Sequence, residues 1–174
     1  MTFRTPPEDR YFEDYVAGSV HDVGHVTLEQ KEMIAFAKRF DPQLFHIDPV
    51  KAKKSMFGGL IASGWYTASV TMRVLVDNYV SHVASLGSPG VDALRWLKPV
   101  RPGDTLSVRV TIVETKRSRS KPDRGFVRTT VEVFNQHRDV VMTWKSGGFV
   151  RLRDGSGKPE AVIASTQLKS GNSD

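Results

Sequence analysis

Residues 106–112 alternate in character: Leu106, Val108, Val110 and Ile112 are apolar, and Ser107, Arg109 and Thr111 are polar. A period of two marks a strand with one buried face. Val127, Thr129, Val131 and Val133 repeat the pattern. Residues 140–150 read as another strand, with Gly147-Gly148 as a bulge or bend, and residues 91–97 as one more. Pro102-Gly103-Asp104 and residues 135–139 have the composition of turns. A further strand is expected near the start, over residues 19–26.

Between these strands the period is helical. Thr27-x-x-Gln30 matches a capping box and predicts a helix opening at Thr27. Met33, Ile34, Phe36, Ala37 and Phe40 then give one apolar face. That helix should stop near Phe40, because Pro42 disfavours the helical conformation at Asp41. Residues 41–48 are expected to form a loop. Residues 49–55 should form a short helical piece with Pro49 in its first turn, and Phe57-Gly58-Gly59 a second loop. Residues 64–79 predict a helix that is apolar over most of its surface, which places it in the core. A strand and helices followed by antiparallel strands make an α+β plan. The only partner large enough for the apolar helix is the sheet, curled around it in a hot-dog arrangement. Residues 1–10 read as an N-terminal extension and 11–153 as one domain. Residues 154–174, rich in Gly, Ser and Lys, read as a flexible C-terminal tail.

Composition narrows the chemistry. The 174 residues include no cysteine, which excludes disulfides, thiolate zinc sites and a cysteine nucleophile. No metal site is expected, since no His or carboxylate pair has zinc spacing. The first residues lack the apolar core of a secretory signal. The longest apolar stretch, residues 60–80, is interrupted by Ser63, Arg73 and Asp77. A cytoplasmic protein without a membrane partner is the expectation. The net charge is +6, and Lys116, Arg117, Arg119, Lys121 and Arg124 form the densest basic cluster. Such a cluster can meet nucleic acid, an anionic membrane or a phosphorylated small molecule, or be a solvated hairpin tip. Zinc-finger spacing, an RNP-like aromatic motif and a KH-type glycine loop are all missing, so no nucleic-acid partner is expected.

Standard nucleotide and hydrolase motifs are also absent. What stands out is Asp41-Pro42-Gln43-Leu44-Phe45-His46, followed by Gly58-Gly59-Leu60-Ile61-Ala62-Ser63-Gly64. Taken singly, Asp before Pro is a common turn former and a loop His a common surface residue. A stiffened loop of this length can instead aim both side chains at one water, which acid–base catalysis requires. Ser63 is a natural N-cap for the helix opening at Gly64. The free amides there sit at the positive end of the helix dipole and suit an enolate oxygen. Gly64 reads equally as a packing glycine at an ordinary helix start.

The stretch FDPQLFHIDPVKAKKSMFGGLIASGWYTAS resembles the MaoC-like dehydratase family, which includes the R-specific enoyl-CoA hydratases. Asp41 and His46 match the family's dyad at its spacing. Gly64 matches the glycine whose amide serves as oxyanion donor, and Ser69 is an inexact match to a helix serine. The order Asp-Pro-Gln-x-x-His departs from the usual Asp-x-Asn-Pro-x-His, and Ser63 stands where many members have His. The resemblance implies a hot-dog fold and syn addition of water to a 2-enoyl-CoA thioester, or its removal from a 3-hydroxyacyl-CoA. Asp41 and His46 would be the acid–base pair. It implies no cofactor beyond the coenzyme A of the substrate, and a homodimer or higher homo-oligomer. Ser63, Ser69, Trp65, Phe57 and Arg117 are the candidate substrate-binding residues, Arg117 for a phosphate. Met56 and Tyr66 could join Trp65 and Phe57 around the acyl group, or all four could pack in the core. The alternatives are a hot-dog acyl-CoA thioesterase and a non-catalytic acyl-CoA binding protein.

Overall fold

The computed structural model describes residues 3–154. Among them run strands β1 (Val20–Thr27), β2 (Gly90–Trp96), β3 (Thr105–Arg117), β4 (Arg124–Phe134) and β5 (Val140–Arg151). The helices are α1 (Gln30–Phe40), α2 (Leu44–Ile47), α3 (Pro49–Ala52) and α4 (Gly64–Asn78), with 3-10 turns at Pro7–Asp9 and Phe12–Asp14. All pairings are antiparallel and the strand order is β1-β3-β4-β5-β2. The edges are therefore β1 and β2.

The alternating residues build the core. Leu106, Val108, Val110 and Ile112 of β3 are buried, as are Val127, Val131 and Val133 of β4. Leu106, Val108, Val110, Val131 and Val133 share a core with Tyr66, Val74 and Leu75 of α4, and Ile112 and Val127 pack with Phe12 and Tyr15 of the N-terminal segment. This is the expected α+β plan, a five-stranded sheet around one long helix. No helix of the described residues is long and apolar enough to cross a membrane.

Several local expectations are corrected. Thr27 does not open a helix. It ends β1, pairing with Thr105, and the two hydroxyls meet at 2.8 Å. Helix α1 starts at Gln30, with Glu29 as N-cap and no side-chain cap bond. Residues 41–48 are not all loop, because α2 forms a helical turn within them. Gly147-Gly148 makes no bulge against β4, whose register runs unbroken through Val127↔Gly148 and Arg128↔Gly147. A Cβ at Gly147 would instead strike the Phe126 ring, so this glycine admits a close aromatic neighbour. Helix α4 is not buried all round, since Trp65, Met72 and Val76 are exposed. Spaced by seven and four residues, they form one apolar stripe.

Residues of the N-terminal extension are anchored to the end of α4. Arg10 is only 2% exposed. Its guanidinium donates to the carbonyls of Thr5, Asn78 and Tyr79, capping the carboxyl end of α4 with a cation. Phe3 stacks on His21, ring centroids 3.8 Å apart, and the Arg10 guanidinium lies 3.9 Å from the Phe3 centroid. Of the proposed C-terminal tail, residues 155–174 lie outside the described residues.

Candidate active site

Asp41 sits where α1 is forced to stop. Its amide still donates to Ala37 O at 2.8 Å, but its backbone leaves the helical region, φ −152° and ψ 65°. Pro42 follows, and the chain turns through Gln43 N–H to Asp41 O and His46 N–H to Gln43 O, both 2.8 Å. The turn delivers His46 on α2. Asp48 then accepts from the amides of Val50 and Lys51 at 3.0 Å and starts α3.

An extended segment, residues 60–63, runs behind this loop. Ile61 N–H bonds Phe45 O at 3.1 Å, and Ala62 N–H bonds Val100 O at 2.8 Å. It brings Ile61 O to 2.9 Å from His46 Nδ1. A carbonyl can only accept, so Nδ1 carries a hydrogen and, in the neutral ring, Nε2 carries the lone pair. His46 Nε2 lies 3.4 Å from Asp41 Oδ2. Asp41 is held from two more directions: Ser63 Oγ donates to Oδ2 and Gln43 Nε2 to Oδ1, both at 2.7 Å. Burial alone would push the Asp41 carboxyl upward. The hydrogen bonds from Ser63 and Gln43, with help from His46, outweigh it and hold the pKa below the usual carboxylate value. Asp41 is therefore an anion whose orientation is set.

Ser63, fully buried, also caps α4 by accepting Trp65 N–H at 3.2 Å. Gly64 is the first residue of α4, so its amide has no partner within the helix. A cleft of 530 Å³ joins these parts, lined by Asp41, Gln43, His46, Phe57, Gly64 and Trp65, among others. Trp96, Leu97, Lys98 and Thr67 also line it.

The expected residues divide. Asp41, His46, Gly64, Trp65 and Phe57 meet at the cleft, and Ser63 stands behind Asp41 as its hydrogen-bond donor. Ser69 does not join them. It is exposed, and its hydroxyl donates to Trp65 O at 2.7 Å. Met56 is 93% exposed, whereas Tyr66 is buried in the core and bonds Glu32. Arg117 lies elsewhere. It pairs with Gly125, which pairs with Val150, whereas Trp96 at the cleft pairs with Met142. Residues 142 and 150 are eight steps apart on β5, roughly 26 Å. Arg117 faces Glu13 at 3.8 Å instead. Two cations adjoin the cleft: Lys98, which lines it and bonds Asp139, and Arg101, which donates to Phe57 O at 2.6 Å. Sequence reasoning passed over both, and Trp96 as well. The residues Arg95-Trp96-Leu97-Lys98-Pro99 offered only a strand end with an aromatic. No cluster of His, Cys, Asp and Glu able to hold a metal occurs among the described residues.

Known proteins resemble this chain in sequence and in fold. The family model described as MaoC like domain matches residues 13–135. A MaoC-like dehydratase from Rhodospirillum rubrum superposes with a TM-score of 0.77 at 38% identity, over 83% of this chain and 98% of that one. The 3-hydroxyacyl-thioester dehydratase Z of Mycobacterium tuberculosis is 30% identical over 69% of this chain and 83% of its own length. A further Mycobacterium tuberculosis protein, with a double hotdog fold, superposes with a TM-score of 0.68 at 18% identity, over 88% of this chain and 47% of that one.

Proposed function

This chain belongs to the MaoC-like domain family, and from that premise we propose that it hydrates a 2-enoyl-CoA thioester, or dehydrates the 3-hydroxyacyl-CoA, with Asp41 and His46 as its acid–base pair. The observation that carries the reading is the opposition of Asp41 Oδ2 and His46 Nε2 at 3.4 Å, with His46 Nδ1 tied to Ile61 O. A carboxylate oxygen and an imine nitrogen both accept, so the group that suits the cleft side of this close pair, bridging both atoms, is a double donor. Water is one.

The chemistry follows from these protonation states. A water donating to both groups places its oxygen toward C3 of the enoyl group. As the oxygen bonds to C3, His46 Nε2 takes one proton, and the C2–C3 electron pair moves onto the thioester oxygen. The Gly64 amide, at the positive end of α4, faces that enolate. The Asp41 carboxylate stabilises the imidazolium beside it. Nε2 then returns its proton to C2 from the same side, giving syn addition of one water. The reverse sequence is dehydration. Coenzyme A enters only as part of the substrate, its thioester in the cleft. The exposed stripe of Trp65, Met72 and Val76 and the open edge of β2 suit a second copy of the chain, giving a homodimer.

The test is crotonyl-CoA with the wild type, Asp41→Asn and His46→Ala. The enoyl absorbance should fall without thiol release, and each variant should lose about 10²–10⁴ in turnover while staying folded. Thiol release would mark a thioesterase, and binding without turnover an acyl-CoA binding protein. Full turnover in both variants would remove the dyad from the mechanism.

A further inference from the structure

Trp96 and Gly64 fit each other across 32 residues of sequence. A Cβ at position 64 would overlap Cε2 of the Trp96 indole and lie 2.7 Å from Cδ2 and Nε1. Only glycine lets the ring rest there. Trp96 Nε1–H donates to Gly64 O at 2.9 Å. The N–H of the same peptide unit, that of Trp65, is held by Ser63 Oγ. The 64–65 peptide is thus gripped at both ends. The neighbouring 63–64 peptide, whose N–H is the Gly64 amide, shares the Gly64 Cα with this unit, and its own carbonyl accepts from Thr67 N–H at 3.0 Å and Thr67 Oγ1 at 3.2 Å. Ser63 Oγ in turn donates to Asp41. One connected path runs from the indole through the first turn of α4 to the dyad.

Packing within a single copy of the chain explains this poorly. Trp96 remains 46% exposed, with a face on the cleft that holds Asp41 and His46. Its ring contact there is the edge of Trp65, at a centroid distance of 5.3 Å, and Trp65 is itself exposed. A half-exposed indole is a weak core element but a rigid wall.

We propose, resting on the hydratase reading above, that Trp96 is a positioning residue for the Gly64 amide. It orients the oxyanion donor through Gly64 O and walls the cleft beside the bound thioester. The interaction it sets matters when charge reaches the thioester oxygen, so its loss lowers kcat more than it raises KM.

Trp96→Phe keeps a ring and removes the N–H. It should lower kcat about three- to tenfold, with KM nearly unchanged and an unaltered melting temperature. Trp96→Ala should lower kcat further. Gly64→Ala evicts the indole, so adding Trp96→Ala to it should cost almost nothing more, a non-additivity expected of a coupled pair. An active wild type with Trp96→Phe at full kcat overturns the inference and leaves the hydratase reading intact. An effect confined to KM or to melting temperature also overturns it, since that is the behaviour of a plain wall or a packing residue. A wild type without enoyl turnover overturns both.

Discussion

Replacing Ser63 by Ala should destabilise the protein by an amount that depends on pH, because its hydroxyl does two separable things. It accepts Trp65 N–H at 3.2 Å as the cap of α4, a role whose loss costs about 1 kcal/mol. It also donates to Asp41 Oδ2 at 2.7 Å. Asp41 is shielded, its side chain 18% exposed, and a hydrogen bond to such a carboxylate contributes about 1.5–3 kcal/mol. The cap term is insensitive to acid and the carboxylate term is not. The Asp41 pKa is depressed in the folded protein. The stabilisation from that depression is complete above the unfolded-chain value, about 3.9. It is lost as pH falls through the lower folded value. The difference between wild type and Ser63→Ala should therefore be about 3 kcal/mol at pH 7. It should contract toward about 1 kcal/mol as Asp41 protonates in both proteins. Urea unfolding of the two proteins from pH 7 down to the acid limit of the wild-type fold measures this directly. A difference that stays constant over the whole range refutes the assignment and leaves Ser63 as a helix cap only. At neutral pH the variant should also lose about tenfold in turnover, the equivalent of one orienting hydrogen bond.

Arg10→Met removes the guanidinium donor from the carbonyls of Thr5, Asn78 and Tyr79, and leaves Tyr79 O with the Tyr15 hydroxyl at 3.1 Å. It should cost about 3 kcal/mol and lower the melting temperature by roughly 6–12 °C. An unchanged thermal melt would show that the N-terminal segment does not brace α4. Met72→Glu puts a charge in the exposed apolar stripe of α4 and should convert the proposed dimer to monomer by light scattering after size exclusion. A wild type that is already monomeric at micromolar concentration would remove the dimer proposal.

What could be read from the residues alone was whatever depends on near neighbours. The alternation at Leu106, Val108, Val110 and Ile112 reports one buried face, and all four are buried. The end of α1 was legible because Pro42 acts on the adjacent residue. The start of α4 was legible because Ser63 bonds an amide two residues on. The errors fall where a partner distant in sequence overrides a local preference. Thr27 has the sequence of a cap, but Thr105 offers it a strand 78 residues away. Residues 3–10 look unanchored until Asn78 and Tyr79 supply acceptors for Arg10. Arg117 was a sensible phosphate ligand by charge, but charge carries no information about which end of a sheet a hairpin occupies.

The same division runs through the candidate site. Residue type and spacing at Asp41 and His46 say that a proton can be exchanged there, and they leave the roles of the two groups open. The roles come from contacts the loop does not contain. Ile61 O, 15 residues beyond His46, puts the hydrogen on Nδ1 and so makes Nε2 the basic nitrogen of the neutral ring. Ser63, 22 residues beyond Asp41, joins Gln43 in keeping that carboxylate ionised. Both contacts come from the segment that leads into α4, whose first residue, Gly64, lines the same cleft. The basic nitrogen, the anion and the proposed oxyanion donor are therefore all tied to one short stretch of chain. A change that shifts this segment should disturb all three together, whereas substitutions at the hairpin tip beyond Arg117 should leave turnover untouched.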